Sequence, residues 1–292
     1  MTQIKYFTIL ISFILVTHSA FGQEDLFPAI RKQQDSLLQK IEMEPDDTKR
    51  IDLILAIYRT RVEAYPLMVL EVGQKLAKLA QKTKDPITEA ISWGFFGQGY
   101  RLSGDYTKAL ECHHKAVALA EKTGNYSLIA ITKNQMGHIY KDRDENEKAL
   151  HLYQEALASA RKGKNGEAEI WPMMNMGAIF LALNQLDSAL YYSNIVYVRC
   201  EEIKLYRNMA YILSNIASTY SKMGNAAMAI SFYQKALSSA QESQSARYLN
   251  QVYTSLAEHY QRTNQEDSTL YLSLIHISEP TRRTPISYAV FC

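Results

Sequence analysis

The sequence predicts an all-α fold, a right-handed superhelical solenoid of antiparallel helix pairs, and three observations carry that reading. A small residue recurs every 40 positions, at Gly97, Gly137, Gly177, Ala217 and Ala257. A large aromatic follows each by three residues (Tyr100, Tyr140, Phe180, Tyr220, Tyr260), and a second marker follows by twelve (Ala109, Ala149, Ala189, Ala229, Thr269). Between the apolar stretches lie Ser103-Gly104-Asp105 and Met223-Gly224-Asn225, where glycine supplies the left-handed backbone that ends a helix.

Each marker has a physical task. Small residues of the Gly97 and Ala109 types let the two helices of a hairpin approach closely, and the aromatics are expected to fill the space between successive hairpins. A further small or medium apolar position follows at Ala116, Ala156, Val196 and Ala236. A single hairpin cannot bury its apolar face alone, so stacking is obligatory.

The fullest copy reads Trp93, Phe96, Gly97, Tyr100, Gly104, Tyr106, Ala109, His113, Ala116, and later copies place Tyr153 and Tyr233 in the slot of His113. This resembles the tetratricopeptide repeat, whose pattern is Trp-x2-Leu-Gly-x2-Tyr followed by Ala-x3-Phe. A period near 40 also occurs in HEAT and armadillo arrays, and the Gly-x2-Tyr and Ala-x3-Tyr spacings decide for tetratricopeptide. The period exceeds the usual 34, which implies longer helices, as in the subgroup that includes kinesin light chain and bacterial peptide-sensing regulators.

The repeat extends upstream in weaker form. Val69-Leu70-Glu71 and Leu79-Ala80-Gln81 align with Ala109-Leu110-Glu111 and Leu119-Ala120-Glu121 at the same shift of 40. The helix expected near Ile51 to Val62 lacks Gly-x2-Tyr, as a terminal repeat with one face in water should. The resulting division is 1–22 signal peptide, 23–47 amino-terminal capping helix, 48–271 an array of about six repeats with the first degenerate and the last truncated, and 272–292 a non-native tail.

Both ends differ in kind from the array. Lys5, the apolar run from Tyr6 to Val16 and Ala20-Phe21-Gly22 have the layout of a secretion signal, with Gln23 as the mature terminus. The apolar run is well short of the roughly 20 residues that span a bilayer, which weighs against an uncleaved anchor. No cysteine stands near the cleavage site to carry a lipid. Leu272 to Arg282 and Ile286 to Cys292 resemble the two constant blocks of a translated sequencing adapter, with Arg283-Thr284-Pro285 in the place of its variable index. On that reading the native chain continues beyond Tyr271.

Charge and cysteine content narrow the function. Without Lys5, Arg282, Arg283 and Glu279, the 32 basic and 30 acidic residues become 29 of each. A neutral array lacks the general electrostatic footprint of a nucleic-acid binder. Cys112 and Cys200 lie two repeats apart, on the order of 20 Å at helix packing distances. A disulfide needs Cα atoms within about 7 Å, so both are expected to be unpaired.

No Gly-rich phosphate loop, Gly-x-Ser-x-Gly elbow or His-Glu-x-x-His helix is present in the sequence. Cys112-His113-His114 does not make a metal site, because consecutive helical residues point about 100° apart. His113 is expected to be a satisfied core histidine. Asp144, Glu145 and Glu147 beside Lys141 and Arg143 read as a solvated turn. The chain is therefore read as having no active site of its own, and no cofactor or metal.

What remains is the first helix of each pair, which lines the concave face in the tetratricopeptide family. The polar residues outside its packing positions are Arg101, Asn134, Gln135, His138, Lys141, Asn175, Asn215, Ser218, Lys222, Glu258 and Gln261. Gln135, Asn175 and Asn215 share one repeat position, and a ladder of amides there can pair with the N–H and C=O of an extended peptide. The long-repeat relatives use asparagines in this way. The same polar residues can instead solvate the groove or tie helix to helix.

The signal, the polar helix around Asp35 to Leu38, Pro45-Asp46-Asp47-Thr48 and the long repeats together resemble the extracytoplasmic half of bacterial sensor histidine kinases or regulators. That resemblance implies an exported, periplasmic array that binds a protein or peptide, with a membrane segment and output domain encoded downstream. The alternatives are a complete soluble periplasmic scaffold without output domain and a fragment of a full-length sensor histidine kinase.

Overall fold

The computed structural model describes residues 39–263 apart from 42, 62–65, 244 and 245. The secretion-signal reading, the adapter-like tail and the truncated second helix of the last repeat lie outside the described residues. Eleven α-helices are described: α1 (Asp47–Arg61), α2 (Pro66–Thr83), α3 (Pro86–Leu102), α4 (Tyr106–Lys122), α5 (Tyr126–Asp142), α6 (Asn146–Lys162), α7 (Gly166–Ala182), α8 (Leu186–Glu202), α9 (Met209–Lys222), α10 (Ala226–Glu242) and α11 (Ala246–Arg262). No strand occurs among the described residues. They form antiparallel pairs stacked in chain order, α1 with α2 through α9 with α10, and α11 opens the next pair.

The spacing is strict. From α3 to α8 every helix is 17 residues long and starts 20 residues after the last, so two helices with their turns make the period of 40. The place of α9 opens with a single 3₁₀ turn, Tyr206–Asn208.

The turns keep the same beat. A left-handed residue stands at Lys84, Gly104, Gly124, Asp144, Lys164, Asn184, Lys204 and Gly224, each 20 after the one before. At the first glycine turn the Gly104 amide donates to the Arg101 carbonyl at 3.0 Å and the Asp105 amide to the Tyr100 carbonyl at 2.9 Å. This pair of bonds closes the helix end while the chain reverses. The following residue then caps the next helix: side chains of Asp85, Asp105, Asn125, Asn165 and Asn225 accept from the amides of Thr88, Lys108, Leu128, Ala168 and Met228.

Packing follows the small-residue markers. Ala109, Ala149, Ala189, Ala229, Ala116, Ala156, Val196 and Ala236 have no exposed surface at all. A Cβ built on Gly97 would stand 2.6 Å from the His113 ring, and one on Gly137 would stand 2.5 Å from the Tyr153 ring. At Gly177 the neighbour is only Ser193 Oγ, at 2.9 Å. At Gly97 and Gly137 one helix thus contributes almost nothing and the other a ring, and at Gly177 the other contributes a serine.

Of the first-helix aromatics, Tyr260 is buried in the main core, while Tyr140, Phe180 and Tyr220 are half-buried against it, Phe180 stacked on Tyr192 of its own pair at 5.4 Å and Tyr220 on Phe232 at 5.6 Å. Second-helix rings go deeper in the complete pairs. Tyr153 and Tyr233 are fully buried in the main core, and the Tyr233 hydroxyl reaches the next pair to donate to the Ser255 carbonyl at 3.0 Å. A second apolar cluster, with Ile54, Val69, Leu76 and Phe95, joins the first pair to α3.

Two outcomes test this packing. Gly137→Ala should lose about 1–3 kcal/mol in urea unfolding, because the new methyl overlaps a buried ring. Gly177→Ala should cost less or be neutral, because Ser193 Oγ can rotate aside and alanine favours the helix by about 1 kcal/mol. At the left-handed turn position, Lys164→Gly should raise stability by about 1 kcal/mol, since a side chain pays for that backbone conformation and glycine does not.

Candidate functional site

First helices of successive pairs touch one another, α3 with α5, α5 with α7, α7 with α9 and α9 with α11, which makes theirs the inner face of the stack. All eleven sequence-nominated residues stand on these helices: Arg101 on α3, Asn134, Gln135, His138 and Lys141 on α5, Asn175 on α7, Asn215, Ser218 and Lys222 on α9, Glu258 and Gln261 on α11. Their surroundings divide them.

The earlier part of the face carries ties between repeats. Arg101 forms an ion pair with Asp142 of the next first helix and bonds Gln98 Oε1 through Nε at 3.1 Å. The buried Asn175 donates through Nδ2 to Asn134 Oδ1 at 2.9 Å. Asn134 Nδ2 faces His138 Nε2 at 3.4 Å, and His138 Nδ1 faces the Tyr153 hydroxyl at 3.1 Å. Asn134 Nδ2 has only hydrogens to offer, so the ring proton of a neutral His138 sits on Nδ1 and points at Tyr153. The network spans α5, α6 and α7 and faces inward. Gln135, in the repeat position of Asn175, has its Oε1 buried with no hydrogen-bond partner.

The later part is open. A cavity of about 220 Å³ is walled by α7, α9 and α11, with Tyr233 reaching it from α10, and Asn215, Ser218, Lys222 and Glu258 all line it. Arg262, Ser221, Ser255 and Tyr233 complete its polar wall, with Ala178, Leu181 and Ala182 as the apolar side. The Tyr233 hydroxyl gives its one proton to the Ser255 carbonyl, so Ser218 must donate to Tyr233, at 3.0 Å. Burial pushes the Tyr233 pKa up to about 12, which keeps that proton in place.

Ser221 is also fixed. It accepts from Arg262 at 3.0 Å and lies 2.7 Å from His259 Nδ1, and burial, with Arg262 nearby, lowers the His259 pKa. A neutral His259 takes the Ser221 proton. Lys222 spends one N–H on the Leu181 carbonyl at 2.9 Å, which leaves two donors at the cavity. The arrangement can hold a polar chain by an amide, a free lysine edge and a carboxylate.

The cavity residues that sequence reasoning missed carried a signal. Ser255 stands 40 residues after Asn215, Arg262 stands 40 after Lys222, and Ser221 shares its register with Lys141 and Gln261.

His113 departs from its expectation. It is fully buried as a core residue, yet neither ring nitrogen has a hydrogen-bond partner, so the histidine is not satisfied. The reason is geometric: the imidazole fills a slot that elsewhere takes the longer Tyr153 or Tyr233, whose hydroxyls reach partners. Cys112 and Cys200 are free and buried. Among the described residues no group of three or more His, Cys, Asp or Glu could hold a metal ion.

Burial, with Arg101 and His114 adding to it, pushes the His113 pKa down from 6.5 to about 3. The unfolded chain takes up this proton near pH 6.5 and the folded chain does not, so stability is full above 6.5 and falls as pH drops toward 3. His113→Phe should remove that part of the acid sensitivity. In urea titrations its advantage over the parent should grow by up to about 1.4 kcal/mol per pH unit between roughly pH 6 and 4. A constant difference across that range would refute the assignment.

Residues 88–162 and 128–194 match a family model described as a tetratricopeptide repeat, and residues 210–243 match a second of the same description. Among solved structures, BtubC (BKLC) from P. vanneervenii is 16% identical, with a TM-score of 0.59 over 78% of this chain and 97% of that one. A Rap protein complexed with competence and sporulation factor is 15% identical, with a TM-score of 0.59 over 94% of this chain and 96% of its own. The Rap conjugation gene regulator of plasmid pLS20, in complex with the Phr* peptide, is 13% identical, with a TM-score of 0.57 over 73% of this chain and 59% of its own. At these identities the likeness is one of fold. A search of curated proteins finds no match.

Proposed function

From the premise that this chain is an array of tetratricopeptide repeats, we propose that it is a non-catalytic scaffold that holds an extended peptide or partner segment on its concave face. One observation carries the reading: the cavity between α7, α9 and α11 gathers Asn215, Ser218, Lys222 and Glu258 with donors and acceptors left over. An extended backbone offers alternating N–H and C=O groups, which an amide such as Asn215 matches on both sides. Two of the similar folds were solved with a peptide or factor bound, which agrees with a groove of this kind.

The finer part of the proposal is that the array is exported and serves as the sensing part of a signal-transduction protein. Its support is the signal-like start of the sequence and the resemblance to extracytoplasmic sensor arrays. No described helix is long and apolar enough to cross a membrane. A soluble scaffold without output domain is the second reading. Intact-mass analysis of the secreted product bears on export: a chain starting at Gln23 supports it, and retention of Met1 in a cell-associated product counts against it.

The binding proposal is tested by selecting extended peptides on the chain from a displayed random library and measuring their affinity for two variants. Asn215→Ala should weaken the selected peptides by about 1–3 kcal/mol with the helical spectrum and melting intact. Asn175→Ala should act on the scaffold, costing about 1–3 kcal/mol of stability because buried Asn134 loses its donor. If Asn215→Ala binds every selected peptide unchanged, the groove reading is wrong.

A further inference from the structure

Ser218 and Ser221 line the cavity between α7, α9 and α11, and the hydrogen of each is committed inside the protein. The Ser218 hydrogen goes to the Tyr233 hydroxyl at 3.0 Å, because Tyr233 gives its own to the Ser255 carbonyl. Ser221 accepts from Arg262 at 3.0 Å and has its hydrogen on His259 Nδ1 at 2.7 Å. A hydroxyl has one hydrogen and two lone pairs. Ser218 is therefore left with two lone pairs and Ser221 with one, and neither has a hydrogen to offer a ligand. The two serines are three residues apart on α9 and so are neighbours on one side of it.

His259 sets the state of Ser221 from behind the wall. It is 2% exposed and does not line the cavity. Among the described residues, the titratable and charged groups around it are Arg262 and Tyr260 on its own helix and Tyr233 on α10, with Lys222 of α9 and Glu258 of α11 at the cavity beyond Ser221. Burial, with Arg262 adding to it, lowers its pKa from 6.5, so near neutral pH the ring is uncharged and Nδ1 accepts. A proton added to Nδ1 reverses the bond. The ring then donates to Ser221, whose two lone pairs are taken by His259 and Arg262, and the serine hydrogen turns into the cavity.

On the reading that this cavity holds an extended segment, we infer that Ser218 and Ser221 form a row of acceptors for backbone N–H groups of that segment, and that His259 is the positioning residue that keeps Ser221 an acceptor. The neighbours exclude other donors and disfavour an anion. Lys222 and Arg262 outnumber Glu258 and oppose an ammonium or guanidinium, while a carboxylate would meet two hydroxyls that present only lone pairs. A neutral amide N–H satisfies both conditions.

The test uses peptides selected on the full chain whose affinity falls in Asn215→Ala, each remade with one backbone amide at a time replaced by an ester, which deletes a single N–H. At about pH 7.5 at least one ester should bind about tenfold more weakly than its amide parent. For that bond the amide-to-ester ratio should collapse in Ser221→Ala. His259→Phe should collapse it too, because the serine hydrogen then turns to the cavity, and His259→Asn should restore it, since the asparagine oxygen accepts near the place of Nδ1. A purely structural role for His259 would weaken amide and ester alike and leave the ratio unchanged. In the parent the ratio should fall between about pH 7.5 and 5 and stay level in His259→Asn. Any loss of folded protein in acid cancels from the ratio. Imidazole nitrogen shifts of the full chain read the same relay without a peptide, and His259 Nδ1 should be unprotonated near neutral pH. A protonated Nδ1 there, or an ester penalty that no bond loses in Ser221→Ala, overturns the inference. If no selected peptide depends on Asn215, the groove reading falls, and the nitrogen shifts still decide the relay between His259 and Ser221.

Discussion

Everything in this chain hangs on the close approach of the two helices within a pair, made where a residue with little or no side chain faces the second helix. Gly137 against Tyr153 and Gly97 against His113 leave no room for even a methyl group. Once one such contact fixes the distance and phase of a hairpin, a spacing of 20 residues per helix repeats that phase at every later pair, because the same number of helical turns and the same left-handed turn residue intervene. The fully buried alanines at the Ala109 and Ala116 registers follow from this phase. At the Ala109 register, alanine in all four described copies, a larger residue would push the second helix away from the first.

Stacking of one pair on the next needs a second device, and it is polar. Four ties run between residues 41 apart, Arg101 to Asp142, Asn134 to Asn175, Leu181 to Lys222 and Ser221 to Arg262, and His259 meets Ser221 at 38. One repeat plus one residue is thus a recurrent offset at which a side chain on one first helix meets the next. The inner face therefore serves two uses that compete for the same atoms. Where a tie joins two buried amides to each other, as at Asn134 and Asn175, the face is scaffold. Where a tie uses only part of a group, as with the single Lys222 N–H on Leu181, the remainder is open to a ligand.

This competition explains what was legible in the sequence. The fold was, because period, turn glycines and small-residue markers are local and each has one structural reading. The helices bearing the site were equally legible, since the repeat places its first helix without further information. Which polar residues remain free was not. Asn175 and Asn215 share a register, and only the neighbour decides that one is bonded to Asn134 while the other lines the cavity. The aromatics misled for a related reason. Period alone marks Tyr140, Tyr153 and Tyr260 as recurrent large residues, but Tyr140 is half-buried and the other two are buried, which only their neighbours decide.

The Asn134–Asn175 pair also bears on why the array spends buried polar groups on its inner face. A buried amide pair contributes only about 1 kcal/mol net, and two apolar residues of similar size would stabilise the stack about as well. Apolar residues, however, pack almost equally well after a small slide, and successive first helices present similar ridges along their length. An amide pair has one good geometry and leaves two unsatisfied groups if the helices shift by a turn. The neighbouring His138 and Tyr153 extend that penalty across three helices, so a slip of α7 on α5 would break a chain of bonds and not one. Register fixed in this way holds α7 where it forms one wall of the cavity whose other walls are α9 and α11. The tied half of the inner face thereby sets the geometry of the open half.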